Sequence, residues 1–365
     1  MASNSPPRLG RETYWFDRRE FLLHQGYRLR PKFDPDFASR YQTLDETAQE
    51  ESQRHTIMDA VRTWDDTKVL LKSVSTSLHP HEVEIAQMFS SPPHLGHPRN
   101  HCVPLLELLP DPEDSDKQIS VMPQLVTCQR PVFETVGEVM ACWRDIFEGI
   151  QYMHENLVAH RDCTFNNIMQ GPTLLYPEGF YPVQTWMDPS YKHFARHITR
   201  TEYPAHGPPT EEVICGGDKS PPEHLGAAYD IPCNPFQPDI YFLGNLLKRQ
   251  FMYKAFPLST HIRLRLYGPL SFLDPLIEDM TQRDPALRPT SGEVIERLDE
   301  ITRKLGSWHL RRPGQRFYLL DWPAQLVRQI KNLFKRVPVL PPYTPLTILT
   351  LSPEMRMFYT QTSMK

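Results

Sequence analysis

Residues 160 to 167, His-Arg-Asp-Cys-Thr-Phe-Asn-Asn, put a carboxylate, Asp162, and a carboxamide, Asn167, in one short polar stretch. A carboxylate can take the proton of a hydroxyl, and an amide oxygen can ligate a hard cation. A second reactive position is Lys72, in Val69-Leu70-Leu71-Lys72. A lysine on a buried strand pins phosphate groups when a carboxylate holds its ammonium in place. Glu84, on the helix that follows, is the expected partner, and its neighbour Glu82 falls on a different helical face. The alternative for Lys72 is an edge-strand lysine with its head in water.

The elements that must position these residues change character along the chain. Residues 1–55 read as a polar extension holding one aromatic and basic patch, Tyr14-Trp15-Phe16 through Tyr27-Arg28-Leu29-Arg30. Ile57 to Arg62 and Lys68 to Val74 are extended runs joined by a turn at Asp65-Asp66, which predicts a hairpin. A short helix is expected over His81 to Ser90 and a buried strand over Gln118 to Leu125, ending at Pro123. Strands with one helix make a small, mainly β lobe over 56–123.

From Val136 to Leu157 the pattern turns helical, with Val136, Val139, Met140, Trp143, Ile146, Phe147, Ile150 and Met153 on one face. That helix runs directly into the 160–167 stretch, and Ile168-Met169 continues as a strand. Further helices are expected at Asp239 to Phe251, Leu273 to Gln282 and Ser291 to Leu305, giving a helical lobe over 124–305. Residues 306–365 form a proline-rich tail.

Taken together, His160-Arg161-Asp162 and Asn167 have the H-R-D-x-x-x-x-N pattern of the protein kinase catalytic loop. Downstream, Pro221-Pro222-Glu223 resembles the segment that closes a kinase activation loop. Asp239-Ile240-Tyr241-Phe242-Leu243-Gly244 resembles the start of a large-lobe helix, and Arg283 to Thr290 the late arginine segment. From about Ile57 to Leu305 the chain resembles the protein kinase superfamily. It is most similar to a fungal group with His-Arg-Asp-Cys-x-x-x-Asn-Ile-Met and a Gly-Gly-Asp-Lys segment, here Gly216 to Lys219.

The resemblance implies an α+β, bilobal fold with ATP and Mg²⁺ between the lobes and a protein Ser or Thr as acceptor. It makes Asp162 the base, Asn167 a metal ligand and Lys72 the phosphate anchor held by Glu84. Met122 would stand at the back of an adenine pocket and Gln124 in the connection between lobes. The alternative for Met122 is a buried strand methionine. His160, Arg161, Glu223, Asp239 and Arg288 would be structural, with Arg288 paired to Glu223.

Two parts of the machinery are missing. Arg54 to Lys68 has no glycine to let backbone N–H groups approach phosphates. Nothing between Asn167 and Glu223 reads Asp-Phe-Gly, whose aspartate is the main anionic magnesium ligand. Beyond Thr199-Arg200-Thr201 that piece reads as deleted, and Asp188 is the best substitute. Three readings stay open: an active kinase, a kinase-derived module that binds nucleotide or protein without efficient transfer, and an active enzyme whose coding sequence has lost a segment.

A net charge of −4 and a pI near 6.4 give no global drive toward nucleic acid or anionic membrane. No run approaches the roughly 18 apolar residues of a membrane span. The amino terminus lacks the apolar core of a signal peptide, and six scattered cysteines suit a reducing compartment, cytoplasm or nucleus. In the tail, Trp322, Leu326, Ile330, Leu333 and Phe334 share a face opposite Arg328, Lys331 and Lys335. Packing of that helix on its own lobe is the favoured expectation, with an anionic membrane or a partner's groove as alternatives.

Overall fold

The computed structural model describes residues 10–34, 56–128, 133–172, 175, 176, 178, 180, 211–213, 220, 222, 234–249, 270–312, 326, 327, 330 and 334. The small lobe is an antiparallel sheet in the order β1-β2-β3-β5-β4. Its strands are β1 (Tyr27–Leu29), β2 (Ile57–Arg62), β3 (Lys68–Ser75), β4 (Glu107–Pro110) and β5 (Lys117–Pro123). The β2–β3 turn is closed by Asp65, which accepts from the Thr67 amide at 3.1 Å and pairs with Arg62.

Alternation along β2 and β3 divides the sheet into two faces. Met58, Ala60, Val69 and Leu71 leave one face, and they are all but buried. That face is covered by two helices from the amino-terminal region, α1 (Gly10–Asp17) and α2 (Arg19–His24). Trp15, Leu22, Tyr27 and Phe33 join the same core as Leu109, Ile119 and Val121. Arg18 and Asp111 lock this cover with a buried 2.7 Å ion pair, which Tyr14 joins by donating its hydroxyl to Asp111. Burial, and then the Asp111 contact, push the Tyr14 hydroxyl well above its usual range.

The expectation of a separate polar extension over 1–55 is thus corrected: the aromatic patch within it is one side of the small-lobe core. The patch is visible in the sequence, but no local signal there says which surface it packs against. Trp15 and Leu22 are buried because they and that sheet face make one core.

The opposite face carries the rows Ile57–Lys72–Ser120 and Asp59–Leu70–Met122, placed side by side by the strand register. α3 (Glu82–Phe89) turns the buried Phe89, with Ile85 and Met88, toward the core of the large lobe, where its ring lies 6.1 Å from that of Tyr152.

The large lobe is built on α4 (Val136–Glu155), whose start is fixed by Thr135 accepting from the Glu138 amide at 3.1 Å. Its buried face packs with α5 (Phe236–Leu247), α6 (Asp274–Met280) and α7 (Ser291–Lys304) in one core. A capping box of Thr290 and Glu293 starts α7. Gly244 lets α5 approach α6, since a Cβ there would lie 2.8 Å from that of Met280. A short helix, α8 (Ser307–Leu310), comes next. The α+β, two-lobed architecture expected from the resemblance is therefore the observed one.

A second, three-stranded sheet joins β6 (Val126–Thr127), β7 (Ile168–Gln170) and β8 (Glu211–Val213). β8 runs antiparallel to β7, with Met169 opposite Glu212. Beyond β8 the chain reads Ile214-Cys215-Gly216, with no acid before Asp218. In the tail, Leu326, Val327, Ile330 and Phe334 are helical but 39 to 83% exposed, and none joins a core cluster. Trp322 and Leu333, the other members of the expected apolar face, lie outside the described residues.

Candidate functional site

The 160–167 loop is hung between α4 and β7 and anchored from below by α5. α4 ends when Asn156 bonds back to Tyr152 and Met153, and Leu157 turns the chain with a left-handed φ of 60°. Asp239, in the first turn of α5, is fully buried. Its carboxylate accepts the amide of His160 at 2.7 Å, the amide of Arg161 at 2.5 Å and Nε2 of His154 at 2.9 Å. His154 meets the hydroxyl of Ser291, at the start of α7, through its other nitrogen at 3.3 Å. Four elements thus converge on one carboxylate.

Arg161 has a φ of 66°, a left-handed conformation that costs a non-glycine residue about 1 kcal/mol. The Asp239 hydrogen bonds hold it there. Cys163 lies beside the same carboxylate and is buried, which pushes its thiol well above the ordinary value and makes it inert.

Asp162 is half-buried at the loop's tip, and Asn167 is nearly buried. The Asn167 amide nitrogen points to the Asp162 carbonyl at 3.5 Å, and its backbone N–H bonds Thr164 O at 2.9 Å. The two candidate reacting residues are therefore joined within one turn, as the spacing predicts.

Lys72 leaves β3 on the sheet face opposite the amino-terminal helices and forms an ion pair with Glu82. The predicted partner, Glu84, instead meets His81 Nδ1 at 3.1 Å, with 73% of its side chain exposed. The reason is the entry of α3: Glu82 stands in the first turn next to the strand, and two residues of helix rotate Glu84 about 200° away. Both Lys72 and Glu82 are about one-third exposed.

Met122, from β5 in the small lobe, and Met169, from β7 in the large lobe, both pack against the cluster of Val103 and Leu125. Gln124 is buried and donates its backbone N–H to Lys68 O at 3.3 Å, tying the interlobe connection to β3. Arg288 donates to the carbonyls of Gln282 at 2.9 Å and Gln237 at 3.2 Å, with its guanidinium over the Tyr241 ring. Asp188 and Glu223 lie outside the described residues.

Three residues of this site escape sequence reasoning. Helical phase alone favours Glu84 over Glu82. Met169 carries a signal in the alternation of Ile168, which is fully buried, with Met169, which is not. Asp59 shares the row of Leu70 and Met122 and pairs with Arg30 at 3.0 Å. Burial raises the Asp59 carboxyl, and Arg30 only partly offsets this. An acid at an inward position of Ile57 to Arg62 is the available clue.

The donor set at the loop does not fit a magnesium ion well. Asn167 supplies a neutral amide, and the chain has no Asp-Phe-Gly aspartate to join it. The described residues hold a different trio with metal-ligating types, His101, Asp145 and Glu148. It lies on α4 and the loop before β4, where Glu148 already meets His101 and Arg144 at 3.2 Å each.

No family model matches the chain. It is similar to a probable serine/threonine-protein kinase of Dictyostelium discoideum, 26% identical over 177 residues, which covers 44% of this chain and 37% of that relative. Among solved structures, it aligns with Rad53 residues 1–466 in complex with AMP-PNP at 17% identity and a TM-score of 0.39, covering 66% of this chain and 60% of that one. It also aligns with the Mycobacterium tuberculosis PknI kinase domain at 15% identity and the same TM-score, covering 67% and 89%. The chain has a two-lobed α+β architecture and, over 177 residues, a weak sequence likeness to a probable Ser/Thr kinase.

Proposed function

We propose that this chain is a protein-kinase-domain protein whose cleft binds a nucleotide through Lys72, held by Glu82, and whose phosphoryl transfer to protein serine or threonine is weak or lost. The observation that carries this reading is the run after β8. The loop keeps its base, Asp162, anchored through Asp239, but the strand that should deliver a metal-binding carboxylate leads into Ile214-Cys215-Gly216. A neutral amide alone is a poor ligand set for a hard dication. The absence of glycine from Tyr27 to Leu95 removes a backbone clamp on the phosphates as well.

Lys72 would neutralise one phosphate oxygen, and Met122 and Met169 would contact the base. Asp162 would orient a hydroxyl that arrives without effective charge neutralisation of the transferring group. The product of those terms is binding without efficient turnover.

The purified chain is expected to raise its melting transition on addition of ATP, by a shift that does not depend on Mg²⁺. It should transfer little phosphate to itself or to generic substrates. Robust Mg²⁺-dependent transfer, abolished by Asp162→Asn, would reject this reading in favour of an active kinase. One observation favours that second reading: β8 sets Glu212 opposite Met169 in the ladder. In that event Glu212→Gln should remove the metal dependence, which supplies a direct check on whether this carboxylate serves the ion.

A further inference from the structure

The tail carries a charge pattern that the whole-chain composition conceals. Residues 303–336 hold nine Lys and Arg against a single acid, Asp321, a net of +8 in a chain of net −4. The remainder therefore carries −12, so the basic surface is local. No acid occurs from Trp322 to Pro353.

Within this stretch Leu326, Val327, Ile330 and Phe334 are helical and exposed, Phe334 at 83%. At helical spacing, Arg328, Lys331 and Lys335 fall on the face opposite this apolar stripe, with Arg336 next in sequence. Trp308, on α8, is 48% exposed, and Arg311 and Arg312 come directly after that helix. No described helix is long and apolar enough to cross a membrane.

We infer that the basic stretch 303–336 binds an anionic lipid bilayer, with the helical Leu326, Val327, Ile330 and Phe334 entering the interface. The apolar side chains enter the acyl boundary while the flanking bases meet lipid phosphates. A bare polyanion would satisfy the bases but leave Ile330 and Phe334 in water. An acidic groove on a protein would take one helix, whereas the exposed Trp308 and the bases Arg311, Arg312 and Arg316 lie earlier in the same basic stretch of sequence. A bilayer satisfies both features at once. The surface would hold the two-lobed body at a membrane, independently of whether the cleft transfers phosphate.

The test is co-sedimentation of the full chain with vesicles of phosphatidylcholine alone or mixed with phosphatidylserine, at low and high salt. Binding should be at least about tenfold stronger to the phosphatidylserine vesicles and fall steeply with salt. Two variants, Ile330→Ser/Phe334→Ser and Lys331→Glu/Lys335→Glu, should each weaken it about tenfold. Both alter exposed or charged tail positions, and an unchanged melting temperature would show that the body stays folded. Equal binding to both vesicle types overturns the inference, as does binding that Ile330→Ser/Phe334→Ser leaves intact. Failure to bind phosphatidylserine vesicles while retaining an acidic helix-binding protein such as calmodulin would reassign the surface to a protein groove.

Discussion

The two halves of the proposed site are held in different ways. On the large-lobe side, the loop bearing Asp162 is fixed by a fully buried carboxylate, Asp239, that satisfies two backbone amides and a histidine. On the small-lobe side, Lys72 is held by one ion pair to Glu82 whose members are each about one-third in water. The difference separates what the fold requires from what phosphate chemistry requires. The loop's left-handed Arg161 and its buried amides cannot be left without partners, so its geometry is part of the core. The Lys72 pair satisfies no buried group. It and the missing glycines and metal aspartate could change without unfolding the chain.

That contrast is broken first at Asp239. Asp239→Ala would strand the His160 and Arg161 amides and His154, and release the strained Arg161 backbone. The expected loss is about 3–5 kcal/mol, typical of removing one member of a buried charged network. In a body of this size it should lower the melting temperature by roughly 10 °C. Asp239→Asn, which keeps one acceptor oxygen, should fall between. A loss below about 1 kcal/mol in urea titration would mean that the loop is not part of the core, and the contrast would collapse.

The same division decides how much is legible in the sequence. The hairpin of β2 and β3, α4 and α7 are strongly patterned, and each begins and ends within a few residues of expectation. Asp162, Asn167 and Asp239 sit in strings whose spacing fixes their geometry, and the structure brings all three together. Glu82 is not legible because the choice between two glutamates depends on where α3 enters relative to β3, a tertiary quantity. Trp15 and Leu22 are hidden for a similar reason. Their burial is set by a sheet face formed from strands 40 to 100 residues away, and nothing local in a charged stretch reports it. The strand β8 is hidden because three residues, Glu211-Glu212-Val213, have no apolar alternation to read. Its place comes only from pairing with β7.

The second prediction sharpens the contrast on the Lys72 side. Glu82→Gln should change stability by no more than about 1 kcal/mol, because an exposed pair gains little over its hydrated members. It should nonetheless weaken the ATP-induced thermal shift, since Lys72 would lose the group that orients it. Glu84→Gln should alter neither. If Glu84→Gln weakened the nucleotide response as much as Glu82→Gln, the observed pairing would not be the one that operates with nucleotide bound.

The smallest effect is expected at Asp116, which secures the connection from β3 into α3 and so sets the height of Glu82 opposite Lys72. Its carboxylate accepts from Ser75 Oγ at 2.6 Å, and from the Ser77 amide and hydroxyl at 2.9 Å each. Those hydrogen bonds, led by that from Ser75, depress its carboxyl from 3.8 to about 2. A folded-state value below the unfolded one means that the ionised form is the one the fold prefers. The contribution is fully present above about pH 4 and is lost as the pH falls through about 2. Asp116→Asn should therefore have a lower urea midpoint than the parent chain at neutral pH, and the gap should narrow by about half near pH 3. A gap that stays constant from neutral pH to pH 3 would mean that Asp116 acts by hydrogen-bond geometry alone, with no contribution from its charge.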